Sequence, residues 1–567
     1  MNKTWNILPL PKEEEAISLS EQLRISKSLA RLLIQRGIDT YEAAESFFRL
    51  SLRQLPDPLL MKDMPEAVAR VSQAIKNNEK ILVYGDYDVD GTTSVAMMFD
   101  FLKTKTKEVH YYIPDRYKEG YGVSMAGIAW ARENEINLII SLDCGIKAIE
   151  TVAEAGKTNI DFIICDHHRP GETLPAATAV LDPKREDCDY PYKELSGCGV
   201  GFKLIQAITR HNNWDEADIW PYLDLVAVSI SADIVPINGE NRVLCAFGLK
   251  QLEANPRPGL QALIKIAGIN KPITVTRIVF GVAPRINAAG RIKHANDAVD
   301  LLLSQDEYEA NYLATQVNEK NNIRRETEQE IVDEALAMIE AGGDRYTTVL
   351  YKEDWHKGVI GIVASKCIEH FYRPTIILTQ SNGKATGSAR SVRGYDVHEA
   401  IEACSELLEQ FGGHKYAAGL TLKTENVEAF AARFEEIVRN SITEEMLTPS
   451  ITVDQEIGLD LINKNYLSII DQMEPFGPGN MKPVFVTRNL QAVNVNLLKD
   501  QHLKMTVVDE NGIPIDAIGF YMPDYYEKLM AGEVFAMAYT IEENNFRGNS
   551  TIQLHIKDIK FAEISAE

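Results

Sequence analysis

Three aspartates at alternate positions, Asp86, Asp88 and Asp90, follow the apolar segment at residues 81–84. This segment has the length and β-branched character of a buried parallel strand. Gly91 then lets the chain turn into a segment with apolar residues at helical spacing. Packing alone does not call for three carboxylates in one loop, because they repel one another. A divalent cation is the simplest compensation, so this stretch predicts a metal site.

Two other interpretations of this loop explain less. The aspartates match the first ligand positions of an EF-hand, but Met97 stands where that loop requires a bidentate glutamate. The segment also follows a strand, whereas an EF-hand loop follows a helix. Capping of the next helix accounts for one of the three aspartates and leaves two unexplained.

Further ligand candidates end other apolar segments. Asp143 follows one of them, although an isolated aspartate at such a place is more typical of a turn. Asp166, His167 and His168 follow the next one, and neutral imidazole is a good ligand for Mn²⁺, Fe²⁺ or Zn²⁺. Asp233 ends another apolar run, where a helix cap is an equally good local explanation.

Together these residues supply mostly oxygen ligands with one or two imidazoles. Such a mixture suits Mn²⁺ or Mg²⁺ and is poor for structural zinc. The ligands suffice for two ions, and two ions about 3.5–4 Å apart can clamp an in-line attack on phosphorus. The sequence therefore predicts phosphoester hydrolysis at a site built from Asp86, Asp88, Asp90, Asp143, His167, His168 and Asp233.

Strands and helices alternate around these residues, which predicts an α/β fold with a parallel sheet. Such a sheet places ligand groups at the carboxyl ends of its strands. The predicted strands are 81–84, 109–113, 138–142, 161–165 and 179–181.

The remaining chain predicts further domains, since 567 residues are too many for one core. A helical pattern over 305–341 has a middle, 318–330, that is polar all round, as in a helix that bridges two domains through solvent. Short strands after residue 450 predict a small β-barrel or sandwich. We predict an N-terminal helical segment at 1–60, a catalytic domain at 61–304, a connecting helix at 305–341, a smaller α/β domain at 342–447 and a β-domain at 451–567.

Composition restricts the function classes. Hydrophobic residues make up 45% and charged residues 25%, as in an ordinary soluble globular protein. Seven cysteines without CxxC pairs indicate a reducing compartment, and we expect a cytoplasmic protein without a signal peptide or membrane span. The net charge of −23 counts modestly against a nucleic-acid substrate, but a local basic groove can coexist with it.

Several motifs, in order, resemble the DHH phosphoesterase superfamily: GDYDVDG, SLDCG, DHH and SAD. The stretch FGGHKYAAG at 411–419 resembles the signature of the companion DHHA1 domain. Further motifs, YIPDRYKEGYG, PRINAAGR, WHKGVIGIVASK and SARS, narrow the resemblance to the RecJ family of 5′→3′ exonucleases specific for single-stranded DNA. It covers the chain from about residue 55 onward. It implies a DHH domain joined by a long helix to a DHHA1 domain, followed by an OB-like barrel.

The resemblance also implies roles for the ligand candidates. Asp143 would bridge two ions, Asp86 and Asp88 would hold the first, and the second would be completed by Asp90, His167 and Asp233. His168 would contact the scissile phosphate or a shared ligand rather than act as a primary ligand, and Asp166 would orient the histidines. Tyr84 stands where family II pyrophosphatases of the superfamily carry a histidine ligand, so Asp86 is expected to replace it.

Nucleic-acid contacts are implied in the same way. Arg116, Ser388 and Arg390 resemble the residues that hold the DNA 5′ end, and arginine offers a planar fork of donors for phosphate. Without the resemblance, an arginine in a Gly-rich loop would be a solvated surface residue. The resemblance places four further residues along the DNA backbone of the first nucleotides: Arg285, Arg291, His356 and His414. In the β-domain, a surface for single strands is expected from Phe485, Arg488, Lys499, Lys504, Phe520, Tyr521, Phe546 and Arg547, although each aromatic alone is more typical of a core.

The expected function is a Mn²⁺- or Mg²⁺-dependent exonuclease that degrades single-stranded DNA to 5′-mononucleotides in DNA repair and recombination. The alternative is a DHH/DHHA1 phosphodiesterase acting on cyclic dinucleotides or short RNA, although such relatives tend to lack an OB domain. An inactive scaffold is disfavoured, since the ligands are all present. The resemblance implies single-stranded DNA with a 5′ end, single-strand-binding protein and a RecQ-type helicase as partners of a monomer.

Overall fold

The structure is a computed structural model that describes residues 3–546 and 548–561. Arg547 lies outside the described residues, as does the side chain of Phe546. The chain forms two compact units, which we call the terminal unit and the central unit. The terminal unit comprises Met1–Gln54, Pro236–Asn238 and Ser450–Glu567, and the central unit comprises Leu55–Val235 and Gly239–Pro449.

The elements are numbered along the chain. The strands are β1 Thr4–Ile7, β2 Ile81–Gly85, β3 Val109–Tyr112, β4 Leu138–Leu142, β5 Asp161–Cys165, β6 Ala179–Leu181, β7 Thr348–Tyr351, β8 Thr375–Ser381, β9 Lys384–Arg390, β10 Gln410–His414, β11 Ala417–Leu422, β12 Ser450–Val453, β13 Gln455–Glu456, β14 Phe485–Leu498, β15 His502–Val508, β16 Pro514–Gly519, β17 Phe535–Phe546 and β18 Asn549–Phe561. The helices are α1 Glu13–Leu23, α2 Lys27–Ile34, α3 Tyr41–Phe48, α4 Met64–Asn77, α5 Val89–Lys103, α6 Met125–Glu133, α7 Ile149–Lys157, α8 Gly197–His211, α9 Leu223–Ala232, α10 Gly239–Ala254, α11 Pro258–Ile266, α12 Val275–Arg277, α13 Ala283–Ile292, α14 Asn296–Leu303, α15 Glu307–Ala341, α16 Ile360–His370, α17 Val397–Glu402, α18 Val427–Ser441, α19 Lys464–Gln472 and α20 Tyr526–Met530.

The central unit contains the predicted parallel sheet, with strand order β3-β2-β4-β5-β6. Every residue of β2 and β4 is buried. These continuous apolar runs are buried because helices cover both faces of the sheet. All strands of a parallel sheet end at one edge, so the residues that follow β2, β4 and β5 meet there.

Helix α15 covers the predicted helical pattern, but its polar middle is not surrounded by solvent. Glu328 is 3% exposed and Asn321 is 2% exposed. Glu328 forms ion pairs with Arg324, at 2.5 Å, and with Lys366 of α16, at 2.7 Å. The polar middle is therefore only partly solvated: most of residues 318–330 are exposed or half-buried, whereas Lys320, Asn321 and Glu328 are buried.

A second sheet of the central unit has the order β10-β11-β9-β8-β7. Only the β7–β8 pair is parallel among the described strands of this sheet. Helix α18 covers its core with Phe430, Phe434 and Val438, which recur at a spacing of four residues and therefore share one helix face. Arg390 ends β9 and His414 ends β10, and both residues pair with Ala417 of β11.

The terminal unit contains the predicted barrel, with strand order β13-β14-β15-β16-β18-β17 closed by pairing of β14 with β17. The predicted strands of this region are short, but β14 is a single long strand with an irregular register. Phe485 is completely buried, so its expected place on a DNA-binding surface was wrong, whereas Phe520 and Tyr521 are exposed.

The N-terminal segment, which the sequence predicts to be helical, also contains a strand. Strand β1 pairs in parallel with β12, and Leu29 and Leu32 of α2 pack into the barrel core. The short strand was missed because its partner is more than 400 residues away and its own sequence shows no clear alternation. No helix in the described part of the chain is long and apolar enough to cross a membrane.

Candidate active site

At the carboxyl edge of the parallel sheet, the acidic residues and histidines that follow β2, β4 and β5 meet Asp233, which follows helix α9. His167 lies at their centre. Its Nε2 atom is 3.2 Å from Asp143 Oδ1, 3.5 Å from Asp233 Oδ2 and 3.9 Å from Asp90 Oδ2. Two groups of potential ligand atoms share this imidazole, one with Asp143 and His168 and the other with Asp90 and Asp233. We call the whole set, with Asp86 and Asp88, the acidic cluster.

The backbone around Asp143 allows the N-terminus of α8 to approach this residue closely. Asp143 itself has a left-handed conformation, with φ of 60°, which an aspartate tolerates better than most residues. A Cβ atom on Gly197 would lie 2.6 Å from the Asp143 Cβ atom, so only glycine fits at the start of α8. The N-terminus of α8 can therefore reach the cluster directly.

Two of the aspartates are fixed by helix N-termini. Asp90 accepts hydrogen bonds from the backbone N–H groups of Gly197, at 2.6 Å, and Cys198, at 2.8 Å, and from Ser229 Oγ, at 2.7 Å. Asp88 caps α5 by accepting from the N–H of Gly91, at 3.0 Å. Capping was the competing explanation for one aspartate of this loop, and the structure shows that it applies to Asp88.

Asp166 holds the two histidines in place. Its Oδ1 atom accepts from the backbone N–H groups of His167, at 2.7 Å, and His168, at 3.1 Å, and lies 2.7 Å from His168 Nδ1. Burial alone would raise the pKa of Asp166. The hydrogen bond from His168 and the charge of His168 outweigh this effect and lower the pKa to about 2. In turn Asp166 raises the pKa of His168 despite burial. Asp166 is therefore an ionised residue whose hydrogen bonds fix the imidazole orientations.

Several buried ligand atoms of the acidic cluster form no hydrogen bond with the described residues. They are both carboxylate oxygens of Asp86, Oδ1 of Asp143, both ring nitrogens of His167 and Oδ2 of Asp233. Burial and the neighbouring carboxylates raise the pKa of Asp143 and Asp233 well above the ordinary value. Burial and Asp88 do the same for Asp86, while burial lowers the pKa of His167. Buried polar atoms normally find partners, so this donor set fits divalent cations.

Tyr84 does not point into this set. It is fully buried, its Oη atom donates to the Gly122 carbonyl at 3.2 Å, and it accepts from the Ser124 N–H at 3.1 Å. It thereby fastens the loop at residues 115–124, which we call the bridging loop. In this loop, the Oη atom of Tyr121 lies 3.2 Å from His168 Nε2.

A second cluster, of positive charge, surrounds the other end of the bridging loop. Arg116 stacks its guanidinium 4.8 Å over the Tyr87 ring. Arg291 donates to the Gly358 carbonyl at 3.0 Å, and Arg390 donates to Ser388 Oγ at 2.9 Å. Burial, followed by the positive charge of Arg116, lowers the pKa of Arg291 to about 10. The same two causes lower the pKa of Arg390. These three arginines, the basic cluster, form no ion pair with the described residues.

The N-terminus of α16 completes the basic cluster. A Cβ atom on Gly361 would lie 2.8 Å from Arg390 Nη2 and 2.9 Å from Ser388 Oγ, so glycine leaves room for these side chains beside the helix start. Helix N-termini favour anions, as guanidinium groups do. His356 Nδ1 accepts from the Gly358 N–H at 3.1 Å, which places this ring beside the same helix.

Arg285 and His414 lie apart from the basic cluster. Arg285 donates to Asn318 of α15 at 2.9 Å, and, after burial, the charges of Arg325 and Arg324 lower its pKa. His414 lines a cavity together with His168. The sequence did not indicate Tyr121 or Tyr117, whose hydroxyl donates to the Arg291 carbonyl, although both lie in the quoted motif YIPDRYKEGYG.

Family models match three parts of the chain. The N-terminal domain of the DHH family matches residues 80–230, the DHHA1 domain matches 344–440, and the RecJ OB domain matches 453–558. The single-stranded-DNA-specific exonuclease RecJ of Bacillus subtilis (strain 168) is 39% identical over 566 residues, covering 99% of this chain and 71% of the relative. That of Escherichia coli (strain K12) is 32% identical over 554 residues, covering 94% and 95%.

Solved structures agree with these matches. The crystal structure of RecJ from Thermus thermophilus in complex with Mn²⁺ superimposes with a TM-score of 0.86 at 27% identity, over 99% of this chain and 80% of that one. Another, of exonuclease RecJ bound to manganese, has a TM-score of 0.61 at 33% identity and covers 70% of this chain and 98% of that one. The chain therefore belongs to the RecJ family of single-stranded-DNA-specific exonucleases.

Proposed function

We propose that this protein is a metal-dependent exonuclease that degrades single-stranded DNA from its 5′ end, releasing 5′-mononucleotides, in DNA repair and recombination. The observation that carries the proposal is the set of buried carboxylate and imidazole atoms without hydrogen bonds to the described residues at the carboxyl edge of the sheet. Family membership supports the substrate, because the relatives are named single-stranded-DNA-specific exonucleases.

The acidic cluster would hold two divalent ions, Mn²⁺ or Mg²⁺, which suit its oxygen-rich ligands. We assign Asp86 and Asp88 to the first ion, Asp143 to both, and Asp90, His167 and Asp233 to the second. Such ions polarise a scissile phosphate and lower the pKa of an attacking water. The Asp166–His168 hydrogen bond directs His168 Nε2 away from Asp166 and towards Tyr121 Oη, where Nε2 could donate to a phosphate oxygen in place of that hydroxyl.

The basic cluster would hold the terminal 5′-phosphate. Arg116 and Arg390 present planar donors, and Ser388 adds a hydroxyl beside the N-terminus of α16. The bridging loop contacts the basic cluster through Tyr117 and the acidic cluster through Tyr121, so it sets the spacing between the two. That fixed spacing would act as a ruler that places the first phosphodiester at the acidic cluster. Arg285, Arg291, His356 and His414 would contact the backbone of the first nucleotides.

The remaining proposals rest on the family resemblance. The OB domain would bind the single strand through its exposed Phe520 and Tyr521. A single-strand-binding protein and a RecQ-type helicase would deliver the substrate to a monomer in the cytoplasm. Gel filtration and pull-down with each purified partner test these assignments directly.

One experiment tests the reaction. The protein is incubated with Mn²⁺ or Mg²⁺ and end-labelled single-stranded DNA, duplex DNA or a cyclic dinucleotide, beside the variant Asp143→Ala. We expect mononucleotides to appear from the 5′ end of the single strand alone, and only with the unaltered protein. Preferred cleavage of the cyclic dinucleotide would favour the phosphodiesterase alternative, and activity that survives in Asp143→Ala would contradict the assigned site.

A further inference from the structure

A large cavity adjoins the acidic cluster, and it is lined by His414 but by none of the residues proposed above to hold the 5′-phosphate. Its volume is about 890 Å³, enough for more than one nucleotide. Asp88, Asp166 and His168 form part of its wall, and Gly413 and His414 of β10 lie on another part. None of the basic-cluster arginines lines it, so the acidic cluster borders two separate regions of positive charge.

Three basic side chains line this cavity. Lys147 and Arg169 are exposed, and neither side chain forms a hydrogen bond or ion pair with the described residues. His414 is the third, and it lines the same cavity as His168. Burial lowers the pKa of His414, and the charges of Lys147 and His168 lower it further. In a chain with a net charge of −23, two unpaired cations beside an active site form a local positive region that attracts anionic ligands.

The carboxylates that line the cavity do not supply that partner. Asp166 is hydrogen-bonded to the two histidines and Asp88 caps α5. Glu150 also lines the cavity, in the first turn of α7, but it forms no ion pair with Lys147 or Arg169.

The N-terminus of α7 opens into the same cavity. Ala148 occupies the N-cap position and provides no side-chain hydrogen bond. The backbone N–H groups of Glu150 and Thr151 have no acceptor among the described residues. An uncapped helix start with free N–H groups attracts anions. Two independent features, the side-chain cations and this helix start, therefore select the same ligand chemistry.

We propose that this cavity binds the backbone phosphate on the 3′ side of the scissile bond, the one between the second and third nucleotides of the strand. The inference rests on the proposed function, because it takes the basic cluster as the site of the 5′-phosphate and the acidic cluster as the site of the scissile phosphate. The next phosphate along the strand then lies beyond the acidic cluster, where Lys147, Arg169 and His414 face the cavity.

The test compares two substrates that differ only in this phosphate and the nucleoside it carries. Thymidine dinucleotide with a 5′-phosphate lacks it, and the corresponding trinucleotide has it. We expect unaltered protein to cleave the trinucleotide with kcat/KM roughly 10-fold higher, as for loss of charge-assisted phosphate contacts. In the double variant Lys147→Ala/Arg169→Ala this preference should fall towards one, while cleavage of the dinucleotide stays unchanged.

Salt dependence gives a second readout that does not depend on turnover. Binding of the trinucleotide in Ca²⁺, measured against salt concentration, should lose about 0.7 of its logarithmic slope in the double variant for the one phosphate contact removed. Lys423→Ala, which removes an exposed lysine after β11, is the matched control and should change neither the preference nor the slope.

The outcomes separate this inference from the proposed function. If unaltered protein cleaves neither oligonucleotide, the proposed function fails. If it cleaves both equally well, or if the double variant keeps the preference and the slope, the cavity does not hold this phosphate. An equal loss on both substrates would place the terminal nucleotide in the cavity and would also overturn the inference.

Discussion

The acidic and basic clusters of the central unit both gather like charges in a partly buried place, but they satisfy them differently. The acidic cluster leaves oxygen and nitrogen atoms of Asp86, Asp143, His167 and Asp233 without hydrogen bonds to the described residues. The guanidinium groups of Arg291 and Arg390 instead donate to backbone carbonyls and Ser388. An unsatisfied buried carboxylate costs far more than an arginine that keeps some hydrogen bonds. The acidic cluster therefore requires a permanently bound cation, whereas the basic cluster is stable without an anion and binds one only when the substrate is present.

The largest expected effect is on the acidic cluster. Asp143→Asn should lower the rate of nucleotide release on the order of 1,000-fold, because the carboxylate proposed to bridge the two ions is lost. The same change should make the metal-free protein more stable, because one of several repelling carboxylates is removed. Thermal unfolding in chelator measures the second part. A metal-free variant less stable than the unaltered protein would contradict our view of the cluster as electrostatically strained.

Metal binding should stabilise the unaltered protein strongly. At about 100 times the dissociation constant, Mn²⁺ adds about 2.7 kcal/mol to the free energy of unfolding. We expect the melting temperature to rise with Mn²⁺, to fall again with EDTA, and to respond weakly in Asp143→Asn. The variant Glu425→Gln alters an exposed carboxylate of the smaller α/β domain, and its melting temperature should respond to Mn²⁺ like that of the unaltered protein. An equal response in all three proteins would mean that the ion binds elsewhere.

A smaller effect is expected in the basic cluster. Arg390→Ala should reduce kcat/KM for a 5′-phosphorylated strand by about 10- to 100-fold, as for a lost hydrogen bond to a charged group. A strand with a 5′-hydroxyl should be affected little. Arg390→Lys should restore only part of the rate, because lysine keeps the charge but lacks the planar fork. Arg433→Ala, at an exposed i,i+3 pair, serves as the control. Equal losses on both strands would place the 5′-phosphate outside this cluster.

The two clusters also differ in how far the sequence predicts them. The residues of the acidic cluster could be named from the sequence, because a parallel sheet brings the ends of β2, β4 and β5 together. Asp233 follows helix α9 instead, so the sheet alone does not explain its place. The basic cluster depends on contacts between distant segments, such as Arg291 with Gly358. No local pattern encodes such contacts, so only the family resemblance indicated these residues.

The secondary-structure elements show the same division: their positions could be predicted from the sequence, but contacts between them could not. Strands β2 to β6 and helix α15 followed from hydrophobic periodicity. The burial of Glu328 did not, because a polar residue on a helix is buried only when a partner such as Lys366 approaches from another element. Lys147 and Arg169 were missed for the opposite reason: an exposed cation has no sequence signal that separates it from an ordinary surface residue.

The smallest expected effect concerns His356, beside the basic cluster. Burial, with the charge of Arg116, lowers the pKa of His356 below its ordinary value of 6.5. As pH falls below 6.5, the unfolded chain binds a proton at this ring before the folded protein does, so stability decreases until the folded pKa is reached. His356→Gln removes this titration and should flatten the loss of stability as pH falls below 6.5. Urea unfolding of both proteins in chelator across this range measures the difference. Parallel curves would mean that the imidazole is as easily protonated in the folded protein as in the unfolded chain, and that the positive charge of the basic cluster does not reach it.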